Sequence, residues 1–416
     1  MYKILFLMRF YTGCIILLTV IFISCDNNAA LIWTDRPEFA FYGEYFNTIQ
    51  NQYKVIVRYF EYPVSEPGRS GSVPDIVVGS WLKNSSTGTY FRSLDNLFGA
   101  KKLSRSIFYP SLLSIGRIEK NQFLLPVSFN IPALIFSKNK EQELSNQFTI
   151  GFDEIKNLSN EFNAITGGAY TQMGFSPLWS SDFLLVTAIL FDTSFNEASP
   201  LIWDARALEH SMDFIYNWTN EINTNNQEEE DFTFKYFYVP AEKLIQSGRI
   251  LFSYKKSSDL FALSDDNKNN LDFRWIMDKN RIPITEDIVY LGIPKRGKSQ
   301  RAARAFVQWF FRVENQKLLM EYSKANRINE SVFGISDGFS ALSPVTEQIF
   351  PQFYPELLGR MPPSEYLLPP NVLPGNWADL KERVILPYIH ERARRKNADD
   401  IYPLDRRLSD WMRINR

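Results

Sequence analysis

Apolar residues in this chain fall into short runs that switch between two spacings. Leu31-Ile32-Trp33-Thr34 is a compact apolar run that reads as a strand. From Asp35 to Asn51, Phe39, Tyr42, Tyr45, Phe46 and Ile49 recur at helical spacing. Tyr53 to Glu61 alternates around Val55, Val57 and Tyr59, the period of a strand. After a Gly/Ser/Pro loop, Asp75-Ile76-Val77-Val78-Gly79 has the look of a buried parallel strand. Strand, helix, strand, loop and strand make a βαβ pattern and predict an α/β sheet.

Beyond it, Phe123 to Ser137 holds two apolar runs divided by Ser128-Phe129-Asn130-Ile131-Pro132. Phe152 to Glu161, Ser181 to Phe191 and Asp204 to Asn220 read as helices, and Asn223 to Asp231 as a solvated acidic loop. A short helix, Glu242 to Ser247, precedes the strand Ile250 to Tyr254, and Phe273 to Met277 and Asp287 to Ile293 are further strands. Ser299 to Tyr322 reads as one long amphipathic helix, with Ala303, Phe306, Val307, Phe310 and Leu318 on or near one face. Prolines crowd Ser343 to Pro374, which breaks any regular element. Two helices, about Trp377 to Lys396 and Leu404 to Arg413, close the chain. No internal repeat is evident.

The first residues follow a different logic. Lys3 and Arg9 precede an uncharged run from Tyr11 to Ser24, which ends in Phe22-Ile23-Ser24-Cys25. That layout predicts a secretory signal peptide over residues 1–24. A small residue before Cys25 resembles the lipobox of bacterial lipoproteins, with Phe22 where Leu is usual. The resemblance implies cleavage before Cys25, lipidation of its thiol, and an exported chain tethered to a membrane, in the periplasm or on the outer face of the cytoplasmic membrane. The alternative is an uncleaved anchor, although the run is shorter than the ~20 residues that span a bilayer.

Composition narrows the chemistry. Apolar residues are 45% of the 416 and charged residues 22%, as in a globular protein with a large core. The net charge of −1 falls by two, to −3, if Lys3 and Arg9 leave with the signal peptide. No basic excess suggests nucleic acid. Cys14 and Cys25 are the two cysteines, so a chain starting at Cys25 forms no internal disulfide and no Cys/His zinc site is expected. The two histidines, His210 and His390, leave few candidates for a Ser-His-Asp triad. No cofactor or metal is implied.

Gly292-Ile293-Pro294-Lys295-Arg296-Gly297-Lys298-Ser299 fits the phosphate-loop pattern GxxxxGK[ST], between a predicted strand and a predicted helix. An exported chain meets little ATP, and Pro294 removes one amide from the cradle. No later apolar strand ends in a magnesium-holding Asp. The segment is expected to be a turn whose Ser299 caps the next helix.

Five segments in order carry a resemblance along nearly the whole mature chain: LIWTDRPEFAFYGEYFN, VPDIVVGSW, LLPVSFNIPALIFSKN, LIQSGRILFS and DIVYLGIPKRGKSQRAARAFVQWFF. Together they resemble the extracellular solute-binding proteins of bacterial ABC importers, in the sugar-binding group that includes maltose-binding protein. The resemblance implies an α/β, two-lobe periplasmic-binding-protein-like fold of type II, with crossing hinge strands and an interlobe ligand cleft. By analogy, lobe one spans 29–129 plus 280–325, and lobe two 130–279 plus 326–416. It also implies a monomer that hands its solute to ABC permease subunits without chemistry. Ligand would stabilise closure by binding both lobes at once.

Sugar recognition calls for aromatic faces and planar polar groups. Asp35, Arg36 and Glu38 follow the first strand, where α/β ligands collect; Asp35 could equally cap a helix. Ser80 and Trp81 follow Val78, with Trp81 either stacking on ligand or buried. Asn130 falls in the interlobe crossing, where the maltose-binding relative has a polar ligand contact. Trp179 and Asp182 lie in the Gly/Ser/Pro-rich stretch 174–182, and Tyr254 ends a strand. Trp377 matches the position of a stacking aromatic in the relative. The proline-rich insert is longer than the relative's loop, and Leu251-Phe252 replaces the usual Ala-Met, so ligand identity does not carry over. Two rival functions remain: a surface lipoprotein that keeps the fold for adhesion or sensing, and an exported hydrolase needing two carboxylates ~5–9.5 Å apart.

Overall fold

The computed structural model describes residues 28–63, 73–100 and 102–414. The expected signal peptide and Cys25 lie outside the described residues. Along the chain run β1 (Ala29–Thr34), α1 (Glu38–Ile49), β2 (Lys54–Tyr59), β3 (Ile76–Ser80), β4 (Leu124–Phe129), β5 (Pro132–Ser137), β6 (Thr149–Ile150), α2 (Phe152–Phe162), α3 (Ser181–Leu190), α4 (Ala205–Ile222) and α5 (Asn226–Lys235). Then follow β7 (Phe252–Lys256), β8 (Leu271–Ile276), β9 (Val289–Gly292), α6 (Gln300–Phe310), α7 (Val313–Ala325), β10 (Phe339–Ser340), α8 (Leu386–Ala393) and α9 (Leu404–Ile414).

Two sheets organise these elements. The first has the order β10-β4-β9-β3-β1-β2 and the second β7-β5-β8-β6. The predicted βαβ pattern is present, with β1 parallel to both β2 and β3. β4 belongs to the first sheet and β5 to the second, so the chain crosses between lobes at Asn130-Ile131. It returns through 277–288, from β8 to β9. The chain after 326 first adds β10 to the edge of β4 in the first sheet. Its next short strand, Leu367–Leu368, pairs with Ile282–Pro283 inside the second crossing.

One apolar core fills the first lobe around Ile32, Val78, Leu125, Leu291 and Phe306. A second lies under α3, α4 and α8 around Phe183, Trp218 and Ile389. The first core also runs across the hinge to Phe273 and Trp275 of the second sheet. There Phe261 stacks on Phe333 at 4.7 Å, and Phe339 of β10 meets Trp275 at 5.9 Å. Gly338 before β10 is forced by close approach, since a Cβ there would lie 2.7 Å from the Phe129 carbonyl oxygen.

Two expectations change. The long helix from Ser299 is two helices, α6 and α7, parted at Phe311-Arg312, where Arg312 is extended. Phe310 and Phe311 are both fully buried, and Phe311 turns to meet Phe108 at 5.4 Å. Adjacent residues on one straight helix point 100° apart, so the break lets both reach the core. The acidic stretch read as a loop is largely α5. Asn225 accepts from the Glu228 amide as its cap, and Phe232 anchors the helix to the core.

The phosphate-loop lookalike is a turn filled from within. Asp75 accepts from the Ser299 amide at 2.6 Å and from the Leu31 amide at 2.9 Å. Its carboxylate sits where an anion would meet the start of α6. Ser299 occupies the cap position, but its side chain makes no capping bond; Asp75 does that from outside.

Asn130 binds the crossings together. Its Oδ1 accepts from Ser257 Oγ at 2.6 Å, and its Nδ2 donates to the Asp337 carbonyl at 2.9 Å. Its own carbonyl accepts from the Thr285 amide at 2.9 Å. Ser257 Oγ also accepts from the Ile131 amide.

Asp75→Ala removes the acceptor of one buried and one part-buried amide and is expected to lower stability by about 2–4 kcal/mol, read by urea unfolding. Asn130→Ala is expected to cost a similar amount, about 2–4 kcal/mol, and Asn130→Asp more, because a carboxylate cannot donate to the Asp337 carbonyl. Wild-type midpoints in these variants would contradict both assignments.

Candidate functional site

A cavity of about 150 Å³ lies between the lobes. Trp81 reaches it from the end of β3, and Asp182 and Tyr254 from the second lobe. Thr285, Glu286 and Asp287 of the second crossing form part of its wall, and Lys381 closes it from the C-terminal segment. Trp81 holds a backbone φ of 53°, a left-handed conformation unfavourable for a bulky residue, and its ring packs against the second-lobe core. The strain is what turns a first-lobe aromatic across the cleft.

Charges around this cavity are largely matched within the protein. Lys381 Nζ meets Asp182 at 2.7 Å and Glu286 at 2.5 Å. Burial alone would lower its pKa, but the two carboxylates raise it. Lys256 pairs with Asp287 at 2.9 Å, and Thr285 Oγ1 donates to the other carboxylate oxygen. Burial would raise Asp287, yet the charges of Lys256 and Arg36 hold it well below the usual carboxylate range. Burial, with the charges of Asp182 and Glu286, pushes the Tyr254 hydroxyl up.

Behind the cavity wall sit the residues expected from the first strand. Arg36 Nη2 donates to Ser80 Oγ at 2.7 Å, and Ser80 Oγ donates to the Asp287 carbonyl at 2.8 Å. Arg36 Nε lies 3.3 Å from Asp35. Asp35 does not cap α1, whose cap position is Pro37; it takes the Ser80 amide instead. Burial raises the pKa of Asp35 and of Glu38, and Arg36 offsets this only in part. Asp35, Arg36 and Ser80 reach the cavity through Asp287 rather than lining it, and Glu38 does not line it either.

The remaining expected residues separate. Asn130 is 6% exposed, and its amide is spent on Ser257 and Asp337. Trp377 is 1% exposed and packs on Phe195 at 5.4 Å in the second-lobe core. It borders a second cavity of about 170 Å³ with Arg281 and the proline-rich residues 368–371. Trp179 lines a third cavity, of about 490 Å³, together with Glu229, Phe234, Phe237 and Arg394. Lys256, Glu286, Asp287 and Lys381 were not among the sequence candidates. The strand-ending position of Lys256 and the Asp-Ile start of the β9 run were the available signals. Nothing local marked Lys381, a charged residue on a helical segment rich in charges.

Rims of the cleft touch as well. Ser85 donates from its amide and hydroxyl to Glu197 Oε1, both at 3.0 Å. Among the described residues no helix is long and apolar enough to cross a membrane.

The third cavity yields a pH prediction. Burial raises the Glu229 carboxyl from 4.5 to about 7. Between those values the folded chain keeps a proton that the unfolded chain has released, so stability falls as pH rises through that window. Glu229→Gln cannot ionise and is expected to lose about 2–3 kcal/mol less than wild type between pH 4.5 and 7.5, measured by urea unfolding at both. Equal losses would show Glu229 to be ionised normally.

Neither a protein-family model nor a curated protein matches the sequence. Solved structures do. A family 1 extracellular solute-binding protein from Alicyclobacillus acidocaldarius aligns over 93% of this chain and 97% of its own, with a TM-score of 0.62 at 13% identity. The cyclic α-maltosyl-1,6-maltose binding protein from Arthrobacter globiformis aligns over 92% and 96%, with a TM-score of 0.60 at 14% identity. An ABC substrate-binding protein from Listeria monocytogenes, in complex with cycloalternan, aligns over 92% and 96%, with a TM-score of 0.59 at 12% identity. The expected two-lobe, type II periplasmic-binding-protein-like α/β fold is therefore the fold of this chain, shared with sugar-binding proteins of ABC importers.

Proposed function

We propose that this protein is the lipid-anchored solute-binding component of an ABC importer, capturing a sugar or oligosaccharide between its lobes and delivering it to a membrane permease. The observation that carries the reading is the convergence of Trp81 from one lobe, Tyr254 and Asp182 from the other, and the crossing residues 285–287 on a single interlobe cavity. Aromatic faces and fixed polar groups contributed by both lobes are what lets a ligand favour the closed state. The neighbours of the same fold, one solved with mannotriose and another with cycloalternan, support a carbohydrate as the solute. Capture and release need no bond-making, and we read the chain as a binding protein rather than an enzyme. Export and anchoring rest on the signal-peptide pattern and Cys25.

At about 150 Å³ the cavity is smaller than the ~300–1,000 Å³ of most small-molecule sites. An oligosaccharide enters only as the lobes part, breaking the Ser85–Glu197 contact and drawing Trp81 off the second-lobe core. The same small volume favours the second reading, a surface lipoprotein using this fold for adhesion or sensing.

Calorimetric titration with maltotriose and mannotriose separates the two. Saturable binding weakened at least tenfold, about 1.4 kcal/mol, by Trp81→Ala supports capture in the cleft. Absence of binding by either sugar favours the non-transport reading. Radiolabelled acid incorporation lost in Cys25→Ser tests the anchor separately.

A further inference from the structure

The third cavity, on the second lobe, shares no lining residue with the interlobe one. Lys381 borders the first and Arg394 the other, thirteen residues further along the same C-terminal helical segment, about 20 Å of helix. Trp179 of this cavity and Asp182 of the interlobe one are only three residues apart, so the two hollows are neighbours that share no lining residue.

Three polar atoms on residues lining it have no hydrogen-bond partner among the described residues: Trp179 Nε1, Asn226 Oδ1 and Arg394 Nε. The rest of each group is engaged. Glu229 Oε1 accepts from Asn223, Asn226 donates to the Arg394 carbonyl, and Arg394 Nη1 pairs with Glu230. Two unmet donors thus stand beside an unmet acceptor, the Asn226 amide oxygen.

Aromatic surface adjoins them. Phe232 covers one face of Trp179, stacked at 5.9 Å and 19°. At the cavity mouth Phe234 is 83% exposed and Phe237 69%, beside Tyr238 at 94%. So much contiguous exposed aromatic surface is unusual on a soluble chain and marks interaction sites. The hollow continues past Asn226, Glu230 and Arg394 into an open depression beside Tyr216 and His390.

We propose that this groove is a second saccharide-binding site, independent of the cleft. A hydroxyl both donates and accepts, so a polyol answers a mixed set of donors and acceptors where a simple cation or anion answers only part. Sugar-ring C–H faces suit the exposed Phe234 and Phe237 rings. The elongated hollow suits a chain of sugar units over a single ring. Such a site would hold a glycan at the lobe surface while the cleft takes its end or its fragments.

The test is calorimetry with maltoheptaose and mannohexaose on the full protein, on Trp81→Ala, and on the double variant Phe234→Ala/Phe237→Ala. Both substituted phenylalanines are exposed, so the double variant should keep its thermal midpoint. The expected result is binding by one of these sugars that survives Trp81→Ala and is weakened at least tenfold by the double variant. Binding abolished by Trp81→Ala and untouched by the double variant would overturn the second site while leaving the cleft reading intact. No binding by either sugar would overturn it too. So would sedimentation showing self-association that the double variant removes, which would assign the aromatic patch to a second copy of the chain.

Discussion

The amide of Asn130 is the point on which the two-lobed arrangement depends. Three stretches of chain pass between the sheets, and separate passages without a common tie would let each lobe drift. Asn130 sits on the first passage, takes the second through the Thr285 amide, and fixes the turn before β10 through the Asp337 carbonyl. Its remaining oxygen holds Ser257 at the end of β7. An uncharged amide donates to a carbonyl from its nitrogen while its oxygen accepts from a hydroxyl, at any pH. A residue that sequence logic places beside a ligand is, in the fold, a structural junction from which the cavity wall at 285–287 is hung.

That junction explains the electrostatics of the cleft. Thr285, Glu286 and Asp287 follow one another on the tied crossing, and each meets the charge network differently. Asp287 is buried and ionised because Lys256 and Arg36 face it. Glu286 shares Lys381 with Asp182. Buried ion pairs seldom add net stability, because desolvation consumes most of the Coulomb gain. Removing one partner is nevertheless expensive, so the network fixes geometry more than it adds stability. Any polar ligand entering here would meet groups already oriented, an arrangement that discriminates by penalising every polar group left unmatched.

Much of the framework was legible in the chain. Period-two and apolar runs at 31–34, 53–61, 75–79 and 123–137 became strands close to their expected bounds; most are buried, and the edge strand β2 buries Val55 alone. Ordered segments spanning the chain pointed to a fold that solved structures share at 12–14% identity. Helix ends were less legible. The break at Phe311 answers a tertiary demand, two neighbouring phenylalanines both seeking the core, and α5 rests on the Asn225 cap together with the burial of Phe232, the second of which no local pattern marked. Site residues were the least legible. Trp81, Asp182 and Tyr254 meet at the interlobe cavity, whereas Trp179 and Trp377 line others. An aromatic residue in a sequence does not disclose whether its neighbours in space are apolar or open. Lys381 joins Asp182 from two hundred residues away, a pairing only the fold creates.

The aromatic seam of Phe261, Phe333, Phe339 and Trp275 joins the edge of the first sheet to the back of the second. Were the lobes to part, this seam is the contact about which they would turn, like the spine of a book. Pages turning about a spine travel least near the binding and farthest at the fore-edge. Lys256 and Asp287, close to the hinge, would scarcely shift, while Ser85 and Glu197 would swing through the longest arc. A receptor that grips those outer margins could therefore sense a small guest deep inside through a motion many times larger than the guest's own grip requires.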